Sequence, residues 1–435
     1  MKYADPHPTA ISLDRHTNWH KAIPLLLVAV FFIIQYNPYQ QITEEVGNPE
    51  IYESLQAIKT GSALRQVALF SLGLFGMLGV FGYRRKRLRV EGWLGWAVLL
   101  FLFLALLSIL WAEDRGLTGR RLVAFAMVCL GALAFAQFYN PEDLVSFALL
   151  ATGTYLLIGV SAEITSGSFH PWQKEYRFSG LMDPNNQAMN CAVLFFASLV
   201  SADSRNGNRY RRLLLVLSAT AFLFLFLTKS RTTLAGATLA LGAYWMLGAS
   251  TYRKVAVFLG CVWFACCILL FLPDGAFVSI SSKTIFPGRD ISDIGTLTGR
   301  TDIWKACLSY IAIHPLLGYG FGSFWSTNRT LIVEEVAGWV ASSGHSTYID
   351  LVLSLGLVGL VLYVVMIAGG IRRSAILSSF THRSCYGFLY ALLVYCVFLG
   401  FLETVFPNPG LLTFLVLSGL THLTFQPPSA DPEKG

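Results

Sequence analysis

Charge is scarce in this sequence. Only 13% of its 435 residues are Asp, Glu, Lys or Arg, about half the ~25% of an ordinary soluble domain. A soluble fold of this length would lack the polar surface needed to cover its core. The ~10-residue alternating segments of an outer-membrane barrel are missing too. None of the eight cysteines shows zinc-like spacing with histidine. Most (Cys129, Cys191, Cys261, Cys266, Cys267, Cys396) lie in or beside apolar runs, where they read as packing residues. No internal repeat is visible. No small-residue cleavage site follows the first apolar run, Ala22 to Tyr36, so that run reads as a retained anchor.

What the chain has instead is apolar length. Hydrophobic residues make up 54% and aromatics 14%, in runs close to the ~20 residues a helix needs to span hydrocarbon. The expectation is an all-α integral membrane protein with about 12 transmembrane helices. They fall near 22–36, 66–83, 92–111, 122–138, 144–161, 187–203, 213–228, 234–250, 255–272, 349–369, 385–402 and 410–425. Four basic loops then share one side: Arg84 to Arg89, Arg205 to Arg212, Arg253-Lys254, and Arg372-Arg373 with Arg383. Positive loops stay cytoplasmic, so both termini are expected there, in a bacterial inner membrane. The net charge of +7 therefore reads as topology, and no nucleic-acid partner is expected. The expected organisation is a cytoplasmic segment 1–21, helices 1–9 over 22–272, a large periplasmic loop 273–348, helices 10–12 over 349–425, and a cytoplasmic tail 426–435.

The large loop has helical signals of its own. Thr301-Asp302 is a cap for a short helix whose apolar face is Ile303, Trp304, Cys307, Leu308 and Ile311, the pattern of a helix on a membrane surface. Pro315 stops it, and glycines 318, 320 and 322 lead to a second stretch, Leu331 to Ala341, read as a lid. Arginines also crowd this face, against the usual bias: Arg115, Arg120, Arg121, Arg177, Arg231 and Arg300. Arg231 sits between two apolar runs, where an unpaired cation costs about 2.5–3.5 kcal/mol. Arginine stays charged and binds phosphate bidentately, so converging arginines at one membrane surface point to a bound diphosphate. No metal and no cofactor are implied. His16 and His20 have i,i+4 spacing, but they lie on the cytoplasmic side without an acidic third ligand.

Several motifs resemble one family. They are Gly299-Arg300-Thr301-Asp302-Ile303-Trp304, His314-Pro315-Leu316-Leu317-Gly318-Tyr319-Gly320, and Gly344-His345-Ser346-Thr347-Tyr348 ahead of a span holding Gly356 and Gly359. Arg177-Phe178-Ser179-Gly180 with Asp183-Pro184-Asn185-Asn186, Ser230-Arg231-Thr232, and Trp111-Ala112-Glu113-Asp114 accompany them. Their order resembles the O-antigen ligase and polymerase superfamily, closest to the lipopolysaccharide O-antigen ligases, over roughly 90 to 425. The resemblance implies a donor glycan on undecaprenyl diphosphate in the periplasmic leaflet, with membrane lipids around the protein. It also implies transfer to a sugar hydroxyl of a lipid A-core acceptor. His345 is the expected general base, near a helix N-terminus that keeps its ring neutral. Arg231 and Arg300 are the expected diphosphate clamp and Arg177 a third member; His314, Asp302 and Tyr348 are supporting candidates. Asp350 is a further orienting candidate, slightly off the face of His345. Two alternatives stay open: an O-antigen polymerase or protein O-oligosaccharyltransferase using the same donor, and a lipid-linked glycan flippase. A flippase would spread basic residues through its spans rather than gather them at one surface.

Overall fold

A computed structural model describes residues 19–36, 63–81, 90, 92–203, 210–250, 252–253, 300–337, 343–381 and 383–425. Among these the chain is helical, without strands. The helices are α1 (Trp19–Gln35), α2 (Ala63–Phe81), α3 (Gly92–Leu107, continued by a 3₁₀ turn Ser108–Leu110), α4 (Arg115–Phe138), α5 (Pro141–Thr165), α6 (Pro184–Ala202) and α7 (Arg211–Leu227). They continue as α8 (Arg231–Met246), α9 (Arg300–Ile313), α10 (Thr327–Ala337), α11 (Thr347–Thr381), α12 (Ser384–Leu399) and α13 (Leu411–Phe425). Five are long and apolar enough to cross a membrane: α2, α3 with its 3₁₀ turn, α4, α5 and α11. Ala22–Gln35, Ser384–Leu399 and Leu411–Phe425 are shorter apolar helices. Every expected span falls on a helix except the one near 255–272, which lies outside the described residues. So do 1–18, the basic residues 84–89 and 205–209, Lys254, the loop segment 273–299 and the tail 426–435.

Lipid tails are as apolar as leucine, so helices associate through close packing rather than hydrophobic contrast. Gly73, Gly76 and Gly79 of α2 accordingly lie directly against Met127, Leu130 and Ala134 of α4. The centre is aromatic. Phe31, Phe135, Phe147 and Phe414, from four helices, meet with ring centroids 4.8 to 6.5 Å apart. α6 and α13 are buried on nearly all sides, which makes them the inner helices.

The loops sort onto two ends, as the alternation of spans requires. At one end Glu113 N–H donates to the Tyr319 carbonyl at 3.1 Å, Trp111 to the Leu317 carbonyl at 3.0 Å, and Phe321 N–H to Ser108 at 3.0 Å. At the other, Arg383 pairs with Glu142 at 2.5 Å and Tyr244 with Asp203 at 3.1 Å.

The apolar face of α9 departs from expectation. Ile303 and Cys307 are fully buried, not against a membrane surface but in a second core with Tyr319, Phe324, Trp325, Val333 and Leu353. Leu308 and Ile313 stay exposed. The helix expected over 331–341 begins earlier, at Thr327, and its residues beyond 337 lie outside the described set. It is pinned: Arg329 Nη2 reaches both carboxylate oxygens of Glu113 at 2.7 and 2.6 Å. The same guanidinium lies over the rings of Tyr310, Tyr319 and Phe324, 4.3 to 5.1 Å from their centroids.

α11 is broken near its start. Gly356 has φ 66° and ψ −169°, a conformation essentially reserved for glycine. The segment after α9 docks into the break: Leu357 N–H donates to the Pro315 carbonyl at 2.8 Å and Tyr319 N–H to the Leu353 carbonyl at 2.8 Å. Non-helical backbone near a bilayer is tolerated where protein satisfies it, as here. A methyl group at 356 would sit 2.0 Å from the Leu316 carbonyl oxygen. Gly356→Ala should therefore cost at least ~2 kcal/mol of stability. Thermal unfolding of the detergent-purified protein checks this; a variant melting with wild type would mean the break does not carry the fold.

Candidate active site

The first turn of α8 is prepared by the loop before α6. Arg177 Nε donates to the Thr228 carbonyl at 2.8 Å, and its Nη2 donates to Asn185 at 2.7 Å. Phe178 N–H donates to the Leu227 carbonyl at 3.0 Å. Glu163 holds this loop from below, accepting from the backbone N–H of Ser179 (2.9 Å) and Gly180 (2.7 Å) and from the Tyr176 hydroxyl (2.5 Å). Burial, with the Glu163 carboxylate beside it, pushes the Tyr176 hydroxyl well above the usual phenol range. Lys229 takes a left-handed φ of 53° and its ammonium donates to the Lys174 carbonyl. Arg231 then opens α8 directly after the N-cap Ser230. The Arg231 guanidinium and the α8 N-terminus each favour an anion at this place.

α8 runs antiparallel to α12: Gly236 lies against Tyr395 and Leu399, and Tyr244 against Gly387. Arg231 is a turn and a half before Gly236, so it lies at the end of α12 from which the chain runs on to Glu403. Glu403 is the centre of the site. Its Oε1 accepts from Arg300 Nη2 at 2.7 Å, a pair whose side chains are only 11% and 8% exposed. Its Oε2 lies 3.9 Å from His345 Nδ1. His345, two residues before α11, is 27% exposed at its side chain and holds a left-handed φ of 45°. Such backbone strain in a non-glycine residue is the kind that gathers at functional sites. The structure thus brings Arg300 and His345 onto one carboxylate, with Arg231 at the same end.

The remaining candidates are placed otherwise. Arg177 is bound to Thr228 and Asn185 as described, and it shapes the turn before Arg231. Asp302 pairs with Lys305 at 3.0 Å on an exposed surface and orients neither the arginine nor the histidine. His314 lies beyond the far end of α9, about 20 Å from Arg300 at the α-helical rise, with its ring edge-on to Tyr319 at 4.8 Å. Tyr348 donates to the Val397 carbonyl at 2.8 Å and packs on Phe401, which ties α11 to α12. Burial pushes the Cys307 thiol up to about 12, with Asp350 adding to the effect, so that thiol is no nucleophile at neutral pH. Among the described residues no three His, Cys, Asp or Glu side chains come together as a metal-ligand set.

Sequence reasoning missed Glu403. A signal was available: a lone carboxylate between the apolar runs 385–402 and 410–425 is as costly in hydrocarbon as Arg231, and marks a site by the same argument.

Residues 213–364, or 152 of the 435, match the family model described as O-Antigen ligase. The motif resemblance therefore holds for that segment. It contains Arg231, Arg300 and His345, while Arg177 and Glu403 lie outside it. A curated relative, the exopolysaccharide production protein ExoQ of Rhizobium meliloti (strain 1021), is 34% identical over 77 residues. That stretch is 17% of this chain, and the chain spans 18% of the relative's length.

The Arg300–Glu403 pair yields a test. Glu403→Ala strands a buried guanidinium and should cost about 3–5 kcal/mol, whereas Arg300→Ala/Glu403→Ala should recover part of that loss. Thermal melts of wild type, each single variant and the double variant decide; additive losses would mean the pair is not coupled.

Proposed function

We propose that this chain is a membrane glycosyltransferase of the O-antigen ligase type. The donor is a glycan on undecaprenyl diphosphate and the acceptor a sugar hydroxyl of lipid A-core. The observation that carries this reading is the meeting of Arg300 and His345 on Glu403, at the same end of α12 as the α8 N-terminus that opens with Arg231. In the reaction the acceptor oxygen bonds to the anomeric carbon as the bond from that carbon to the diphosphate oxygen breaks. His345 takes the hydroxyl proton, and the electron pair leaves with the diphosphate. Glu403 faces Nδ1, so Nε2 is the nitrogen that accepts the proton, and the carboxylate stabilises the imidazolium that forms. Arg231 and the α8 N-terminus stabilise the growing charge on the leaving group, with Arg300 beside them. Arg177 acts by fixing the turn that carries Arg231. The basic loops and both termini face the cytoplasm, and the site faces the periplasm, in an inner membrane whose lipids surround the bundle.

A second reading has its own support. The name of the relative speaks of exopolysaccharide production, which suits a polymerase that extends another carrier-linked chain with the same donor chemistry.

One experiment separates them. Purified protein is mixed with undecaprenyl-diphosphate-linked glycan and lipid A-core in the presence of chelator, and the core band is followed by its mobility. Transfer that survives chelator and falls by at least ~100-fold in His345→Ala and Arg231→Ala is expected. Lengthening of the glycan with donor alone would establish the polymerase reading, and full activity in His345→Ala would remove the base.

A further inference from the structure

Asp350 is nearly buried, 5% exposed, in the first turn of α11. It accepts hydrogen bonds from three separate parts of the chain. Its Oδ1 takes the Trp325 indole N–H at 2.8 Å and the Gly344 backbone N–H at 2.9 Å. Its Oδ2 takes the Thr404 hydroxyl at 2.5 Å. Two of these donors are chain neighbours of the site: Gly344 precedes His345, and Thr404 follows Glu403. The third, Trp325, is in turn bonded through its carbonyl to Arg121 of α4.

We infer that Asp350 is the positioning residue of this site, setting the distance between His345 and Glu403 by gripping the residue beside each. The inference rests on the reading of His345 as base, but it concerns geometry and can be tested without turnover.

Three observations support it. Gly344 is held at both backbone polar atoms, since its carbonyl accepts from the Trp304 indole at 2.9 Å. A side chain there would put its first carbon 3.0 Å from Asp350 Oδ1, so glycine is what lets the carboxylate reach that N–H. A second clamp parallels the first: Thr347 N–H donates to the Gly400 carbonyl at 2.8 Å, and Thr347 Oγ1 bonds the Glu403 carbonyl at 3.0 Å and the Val405 N–H at 2.9 Å. The left-handed turn at His345 is thus fixed on both flanks by the opening residues of α11. No donor to Asp350 touches the reacting groups, so its effect passes through placement, where a misfit of about 1 Å costs on the order of 10²-fold in rate.

The test reads the titration of His345 directly. The charged groups facing the ring among the described residues are Glu403 and Asp350, with Arg300 across Glu403. Diethyl pyrocarbonate reacts with neutral imidazole, and its rate at the peptide containing His345, read by mass spectrometry against pH, gives that residue's apparent pKa in the intact purified protein. Thr404→Val and Trp325→Phe each remove one donor to Asp350 without replacing a charged residue. The expected result is a pH profile of His345 modification that departs from wild type in both, as His345 loses its fixed place beside Glu403, with a melting temperature that keeps the protein folded. Thr404→Val is nearly isosteric and guards against a folding failure in Trp325→Phe. A profile that overlays wild type in the folded variants overturns the proposal. A changed profile supports it even where His345→Ala still transfers glycan, a result that would count only against the base.

Discussion

A charge taken into the low-dielectric end of a helix bundle must find a partner or leave. The Arg300–Glu403 pair is the place where this protein meets that demand, and much of the surrounding structure follows from it. Glu403 has to stand beyond the end of α12, so the chain there is held by Thr347 and Thr404 rather than left to wander. Arg300 has to reach inward from the start of α9, so that helix packs on protein through Ile303 and Cys307. His345 then enters beside a carboxylate whose position two other helices have already set.

Much of this was legible in the amino-acid sequence. The apolar runs gave the helices because hydrocarbon dictates their length. Arg231, Arg300 and His345 stood out because charge and imidazole are conspicuous against a background of leucine and phenylalanine. Other parts were illegible for stated reasons. The partner of Arg300 is 103 residues away in the chain, and nothing in local spacing reveals a pairing at that range. The surface helix was misjudged because an apolar stripe looks the same whether it meets lipid or protein; only Phe324, Trp325 and Val333 arriving from another segment decide it. Asp302 and His314 attracted notice as polar residues near a motif, but the helix that carries them points one toward Lys305 and carries the other away from Arg300.

The site also shows how a membrane protein builds precision from backbone. Gly344, Gly400 and Thr347 contribute main-chain or hydroxyl groups, and through them the turns that carry His345 and Glu403 are held. Side chains with chemistry are few, and the scaffold that aims them is made of capped turns at the ends of spans.

The break in α11 has a consequence for how such chains can diverge. Gly318 and Gly356 face each other so closely that a side-chain carbon on the first would lie 2.8 Å from the backbone nitrogen of the second. Residues 315–319 and 353–358 therefore form one interlocked joint, although the chain between them holds α10 and the histidine turn. The intervening 33 residues, 320 to 352, are closed off by this joint and tied besides to Glu403 and Thr404 through Thr347 and Asp350. A crossover between the two strips would pair backbones that never grew together, so residues 315–319 and 353–358 must be inherited as one unit.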